Sequence, residues 1–289
     1  AFFQVNTSLP VPPGALVPSE IHFHPTGDGD TEFIELMNVS TAAVNLRGCR
    51  FTEGVDFAFS EFRDTVLAPG QRLVLVDSEF AHRHHYGWDR TIAGIYSGNL
   101  SNQGERLTLV SGSDTVFSVT FADSWHLLAD GGGASLTLVR PRPGLDLDDP
   151  ANWRPSTTDD GTPGANDPGT PFSGDPFADV DGDGVNAFTE YALGSSDTSR
   201  DHTAGIRIEP QPDGSMLFSF LRAPAADDAI VVAEVSGDLA TWHSDAAWLV
   251  PHSQERQPDG RLLTRYAPGP TLAALGPRVF FHLRATARQ

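Results

Sequence analysis

Between Leu16 and Val139 the chain runs as short apolar or alternating stretches, each closed within a few residues by Gly, Pro, Asn or Asp. Such punctuation leaves almost no room for helical periodicity and favours strands, in which every second side chain faces one side. The expected strands are Val17 to Phe23, Glu32 to Asn38, Val44 to Phe51, Arg72 to Val76, Arg106 to Val110, Thr115 to Phe121 and Ser135 to Val139. Short strands at this spacing fit a sandwich of two packed sheets. From Pro141 to Pro176 the composition shifts to Pro, Gly, Asp, Ser and Thr, with acidic pairs at Asp148-Asp149 and Asp159-Asp160, and reads as an irregular tail and linker. A second strand series follows at Ile206 to Glu209, Met216 to Leu221, Ile230 to Val235, Leu262 to Tyr266 and Val279 to Ala285. The expected fold class is all-β, with a larger sandwich, a connector and a smaller sandwich.

The sharpest local motif lies in the connector, at Asp179-Val180-Asp181-Gly182-Asp183-Gly184-Val185-Asn186-Ala187-Phe188-Thr189-Glu190. Asp179, Asp181 and Asp183 stand at positions 1, 3 and 5 of a calcium loop, and Gly184 supplies the sharp turn at 6. Val185 can offer its backbone carbonyl at 7, and Glu190 stands at 12. Calcium is the expected cofactor, with Asp179, Asp181, Asp183, Val185 and Glu190 as its ligands. Ala187 to Leu193 reads as one short helix ended by Gly194 in the left-handed conformation. Pro171, Gly174 and Pro176 oppose a helix entering the loop, so half of a helix-loop-helix is expected rather than a paired hand that opens on binding.

Composition narrows the partners. The 38 acidic residues outnumber the 19 basic ones, all of them Arg, for a formal charge of −19. Such an excess repels phosphate backbones and suits divalent cations, so nucleic acid is excluded as a partner class. No apolar run reaches the roughly 18 residues of a membrane span. The start, Ala1-Phe2-Phe3-Gln4, lacks a basic n-region and does not read as a signal peptide. The one cysteine, Cys49, rules out an internal disulfide and, beside Val44, Leu46 and Phe51, is expected in the core.

Other clusters carry weaker chemistry. Asp28, Asp30 and Glu32 alternate on an extended backbone and could present clustered oxygens to a second ion, or simply form a solvated loop edge. His22 and His24, with His82, His84 and His85, raise a transition-metal site and with it a metal-dependent enzyme as one alternative reading. The chain has no G-x-S-x-G elbow, no H-E-x-x-H and no P-loop. Trp88, Trp125, Trp153, Trp242 and Trp248 either fill cores or line a binding face.

Several stretches of the first β region follow one another in a recognisable order. They include Ser19-Glu20-Ile21-His22-Phe23-His24-Pro25, Glu32-Phe33-Ile34-Glu35-Leu36-Met37-Asn38, Val44-Asn45-Leu46-Arg47-Gly48-Cys49-Arg50-Phe51 and Leu67-Ala68-Pro69-Gly70. Leu100-Ser101-Asn102-Gln103-Gly104-Glu105-Arg106-Leu107, Asp130-Gly131-Gly132-Gly133-Ala134-Ser135-Leu136, Trp153-Arg154-Pro155-Ser156 and Gly161-Thr162-Pro163-Gly164 continue the series. Together they resemble the lamin tail domain as it occurs in bacterial secreted proteins. That resemblance implies an immunoglobulin-like sandwich, a core role for Cys49 where the pattern usually carries Trp, and Trp153 plugging the tail onto the sandwich. The calcium segment, with Glu190-Tyr191-Ala192-Leu193-Gly194, resembles thrombospondin type 3-like or dockerin-like repeats. Ala233 to Trp242 is similar to C-terminal β modules of secreted proteins from Verrucomicrobia-like bacteria. The expected division is an N-terminal extension over 1–15, a lamin-tail-like domain over 16–168, a linker with calcium loop and short helix over 169–200, and a C-terminal β-sandwich over 201–289. The function these readings imply is a non-catalytic, calcium-binding accessory module, secreted or at a cell surface. A carbohydrate- or protein-binding module, whose partner is a polysaccharide or a cell-surface protein, is the second reading.

Overall fold

The computed structural model describes residues 10–27, 30–200 and 205–288. Most of the expected N-terminal extension, and Asp28 of the first acidic cluster, lie outside the described residues. The chain divides into two compact units, Ala1–Asp167 and Pro168–Gln289. Both are built of strands, so the all-β, immunoglobulin-like expectation holds for the fold class.

In the first unit the strands are β1 (Leu16–His22), β2 (Phe33–Asn38), β3 (Val44–Asn45), β4 (Cys49–Glu53), β5 (Val66–Leu67), β6 (Arg72–Val76), β7 (Gly94–Ile95), β8 (Arg106–Ser111), β9 (Asp114–Thr120), β10 (Leu136–Leu138) and β11 (Trp153–Pro155). One sheet has the order β11-β10-β1-β2-β6-β7, antiparallel except at β6/β7, and a second has the order β4-β8-β9. The strand expected over Val44 to Phe51 is two strands. The chain turns at Leu46–Cys49, where the Cys49 N–H donates to the Leu46 carbonyl at 2.9 Å, so β3 pairs with β5 and β4 with β8.

Alternation along β2 and β6 gives the larger sheet two different faces. Ile34, Leu36, Leu73 and Leu75 point into the main core with Cys49, Phe117, Phe121 and Trp153. Phe33, Val74 and Val76 point the other way, into a smaller cluster with Tyr86 and Ile92. That second face is covered by a helix, α1 (Glu79–Tyr86), over the histidine cluster where no helix is expected from the sequence. Its Ser78 cap accepts from the Ala81 N–H at 3.3 Å, and Arg83 Nε bonds Glu79 Oε1 at 2.7 Å.

The same face buries two carboxylates opposite each other, Glu20 on β1 and Glu35 on β2. The tail after β11 straps across them. Glu20 Oε1 accepts from Ser135 Oγ at 2.5 Å and from the Thr162 N–H at 2.8 Å, while Glu35 Oε2 accepts from the Gly164 N–H at 2.8 Å. Arg154 and Asp167, both buried, close the strap at 3.2 Å. Burial, then the neighbouring Glu35 charge, pushes the Glu20 carboxyl up to about 8, and burial pushes Glu35 up to about 7.

The second unit contains β12 (Arg207–Pro210), β13 (Met216–Arg222), β14 (Ala229–Ser236), β15 (Leu249–Arg256), β16 (Leu262–Pro268) and β17 (Phe280–Ala287). A sheet of order β12-β13-β16-β15 faces the pair β14-β17. Phe218 and Phe220 from one, with Ala233, Val235 and Leu283 from the other, form the core between them. The helix α2 (Ala187–Leu193) spans the expected residues, and its Leu193 enters that core while Ala192 packs with Ala226 and Ala229. Thus the stretch after Pro168 is packed onto the second unit.

A carboxyl that stays protonated when folded stabilises the fold at low pH and loses that contribution as pH rises toward its folded value. His22 and His82, whose burial lowers them to about 3 and about 4, act in the opposite direction, but only below their ordinary value of 6.5. Between pH 6.5 and 8 the carboxyls alone govern, so the calorimetric melting temperature of the first unit falls across that window. Glu20→Gln, which keeps the acceptor for Ser135 and Thr162, flattens the fall.

Candidate metal centre

The acidic loop folds on itself through its own backbone. The Asp183 N–H donates to Asp179 Oδ1 at 3.0 Å and to Asp181 Oδ1 at 3.1 Å; the Gly184 N–H donates to Asp179 Oδ2 at 3.0 Å and the Val185 N–H to Asp183 Oδ1 at 2.8 Å. These bonds draw three carboxylates inward, and each offers one oxygen within 4.8 Å of the other two. Gly184 has φ +94°, a conformation that L side chains rarely adopt. It lets the loop reverse after Asp183.

Both ends of the loop are pinned. The Ala187 N–H donates to the Ala178 carbonyl at 2.8 Å and the Phe188 N–H to the Pro176 carbonyl at 3.3 Å, so the loop is entered through a turn at Pro176–Phe177 in place of a helix. On the exit side Asn186 caps α2, accepting from the Thr189 N–H at 2.9 Å, and Gly194 ends it at φ 73°, ψ 27°. The helix carries Glu190 inward, where it is 1% exposed.

Glu190 Oε1 accepts from Ser195 Oγ at 3.2 Å, but Glu190 Oε2 and Asp181 Oδ2 are buried without a hydrogen-bond partner. A buried oxygen left unpaired is costly, and a cation is one way to satisfy it. Loss of solvent raises the Glu190 carboxyl, and the charges of Asp181, Asp183 and Asp197 raise it further. The structure therefore brings Asp179, Asp181 and Asp183 together, with Val185 at the seventh loop position and Glu190 buried on α2, where it feels the charges of Asp181 and Asp183. Asp197 was not read from the sequence. Its Oδ1 accepts the Val180 N–H at 3.0 Å, and no motif spacing beyond the loop would have flagged it. Arg200 Nε, on the same side of the loop, donates to the Asp181 carbonyl at 2.8 Å.

The other clusters do not converge in this way. Among the described residues the three aspartates are the only group of three His, Cys, Asp or Glu side chains with ligand atoms at such spacing. His24 pairs with Asp130 at 2.6 Å, His85 with Asp160 at 3.0 Å, and His84 stacks on Phe80, while His22 and His82 are buried against Phe33. Glu32 turns inward and accepts the Leu100 N–H at 2.7 Å, and Asp30 stays exposed. Cys49 is fully buried, and Trp153 fills the core with its Nε1 donating to the Leu147 carbonyl at 2.9 Å.

Neutralising Glu190 removes a charge that, beyond its hydrogen bond from Ser195, only a bound cation would reward. Glu190→Gln is expected to leave the second unit's melting temperature equal or higher in chelator, and to lower it relative to the parent in millimolar calcium. An equal loss in both conditions would mean that Glu190 serves packing alone.

Comparison with known proteins bears on the first unit. No curated protein and no solved structure gives a significant match. Residues 11–126 match the family described as Lamin Tail Domain, a stretch running from just before β1 through α1 and β9 and stopping short of β10, β11 and the strap. The first unit is thus similar, over β1 to β9, to a family of immunoglobulin-like domains without enzymatic activity.

Proposed function

We propose that this chain is a non-catalytic, calcium-binding accessory module of a secreted or cell-surface bacterial protein. The observation that carries the reading is a preformed loop that gathers Asp179, Asp181 and Asp183 through its own N–H groups, next to a buried Glu190 that feels the charges of Asp181 and Asp183 and whose Oε2 has no hydrogen-bond partner. Calcium takes six to eight oxygens in a flexible shell, which three aspartates, a backbone carbonyl at Val185 and the two oxygens of Glu190 suit better than the strict octahedron of magnesium. Bound there, the ion would tie the entering segment, the loop and α2 into one element. Because α2 is anchored through Leu193 and Ala192, that element would be continuous with the second unit's core.

Millimolar calcium outside cells is the setting in which such a site stays loaded. The family of the first unit supports an absence of catalysis there, and the formal charge of −19 supports an environment rich in cations. No helix among the described residues is long and apolar enough to cross a membrane.

Ligand linkage sets the size of the effect. With calcium at 100 times its dissociation constant the second unit gains about 2.7 kcal/mol, and a weaker extracellular-type site gives about 1 kcal/mol. The melting temperature of the second unit should rise with calcium, respond much less to equimolar magnesium, and lose the response in Asp181→Asn. A thermogram identical in chelator and in millimolar calcium would refute the proposal.

A further inference from the structure

The first unit exposes three rings together. On α1 and the turn after it, Phe80 is 71% exposed and Trp88 66% exposed, and His84 is exposed beside them. The Phe80 and His84 rings are parallel within 5° at 6.1 Å between centroids, and Trp88 meets Phe80 edge-on at 6.3 Å. Large aromatics clustered in water are unusual unless something covers them.

The platform is held rigidly. Arg83 binds Glu79 Oε1 at 2.7 Å and donates through Nη1 to the carbonyls of Trp88 at 3.0 Å and Arg90 at 2.9 Å, stapling the 87–90 turn to the helix. Arg90 Nε returns a bond to the Tyr86 carbonyl at 3.2 Å. Gly87, at φ +108°, makes the reversal that brings Trp88 back beside Phe80. Beneath, His82 and Tyr86 pack on Phe33, and Tyr86 Oη donates to the Asp160 carbonyl at 2.7 Å. A surface already fixed in place loses little freedom on binding.

We propose that Phe80, His84 and Trp88 form a binding platform for a neutral polysaccharide. The hydrophobic face of a sugar ring presents polarised C–H groups, which pack on the electron-rich faces of aromatic rings, while its hydroxyls turn outward to polar neighbours. Glu79, Arg83, Asp89 and Arg90 flank the rings and supply such neighbours, two acids balanced by two bases. That local neutrality, on a chain of net charge −19, disfavours polyanions. Three rings with a charged border are also far short of the 20–30 residues that each side of a stable protein interface contributes. The site is independent of the calcium reading, since it lies wholly within the first unit.

The test is sedimentation of the full chain with microcrystalline cellulose, chitin and insoluble xylan, each with calcium and with chelator. The platform predicts that at least one of them depletes the protein from solution equally in both conditions. Phe80→Ala/Trp88→Ala should then reduce the bound fraction on the order of tenfold or more at an unchanged melting temperature. Protection of Trp88 from acrylamide quenching by the retained polysaccharide gives a second readout. The proposal is overturned if none of the three retains the chain, or if the double variant binds as well as the parent. It is equally overturned if sedimentation equilibrium shows that the double substitution dissociates a dimer, which would give the platform to a second copy of this chain.

Discussion

Like charges confined to a few residues need either a proton or a cation, and this chain uses its backbone to force that choice. At the start of the second unit, the N–H groups of Asp183, Gly184 and Val185 draw three aspartates together before any ion arrives. Those bonds offset part of the repulsion, but the oxygens left inward, Asp181 Oδ2 and Glu190 Oε2, remain unsatisfied. A divalent cation, as proposed, would resolve both difficulties at once, since its charge would cancel the repulsion and its coordination shell would use the orphaned oxygens.

The first unit meets the same problem with its own protein groups. Glu20 and Glu35 face each other across β1 and β2, away from water. There, protonation of Glu20, the Arg72 guanidinium at 3.0 Å from Glu35, and amides from the strap satisfy the carboxyls. The strap belongs to the first unit even though the family match ends at residue 126, because without it Glu20 loses its donor from Thr162 and Glu35 its donor from Gly164. Buried polar groups with complete hydrogen bonding fix one arrangement of the covering chain, which an apolar face would specify less sharply.

Local features were legible in the sequence and spatial ones were not. The acidic loop, the short helix after it and the Gly194 cap are set by residues within a few positions of one another, and the structure gathers the three aspartates and forms the helix and its cap over the same residues. Most strands were readable from alternation, but β15, which contains Pro251 and His252, lies at a sheet edge with much of its length exposed and has no apolar pattern to show. Helix α1 was missed for a different reason. Its inward positions are His82 and Tyr86, packed on Phe33, while Phe80 faces water, so the apolar stripe that would announce a helix is inverted. The carboxylate that Asp197 adds near Glu190, and the pairing of Glu20 with Glu35, exist only once the chain has folded.

Direct calcium titration by isothermal calorimetry tests the central claim most simply. The preformed acidic loop predicts one ion per chain, with that binding event removed by Asp181→Asn and weakened by Glu190→Gln. Absence of any heat of binding at millimolar calcium, or a stoichiometry unchanged in Asp181→Asn, would contradict it.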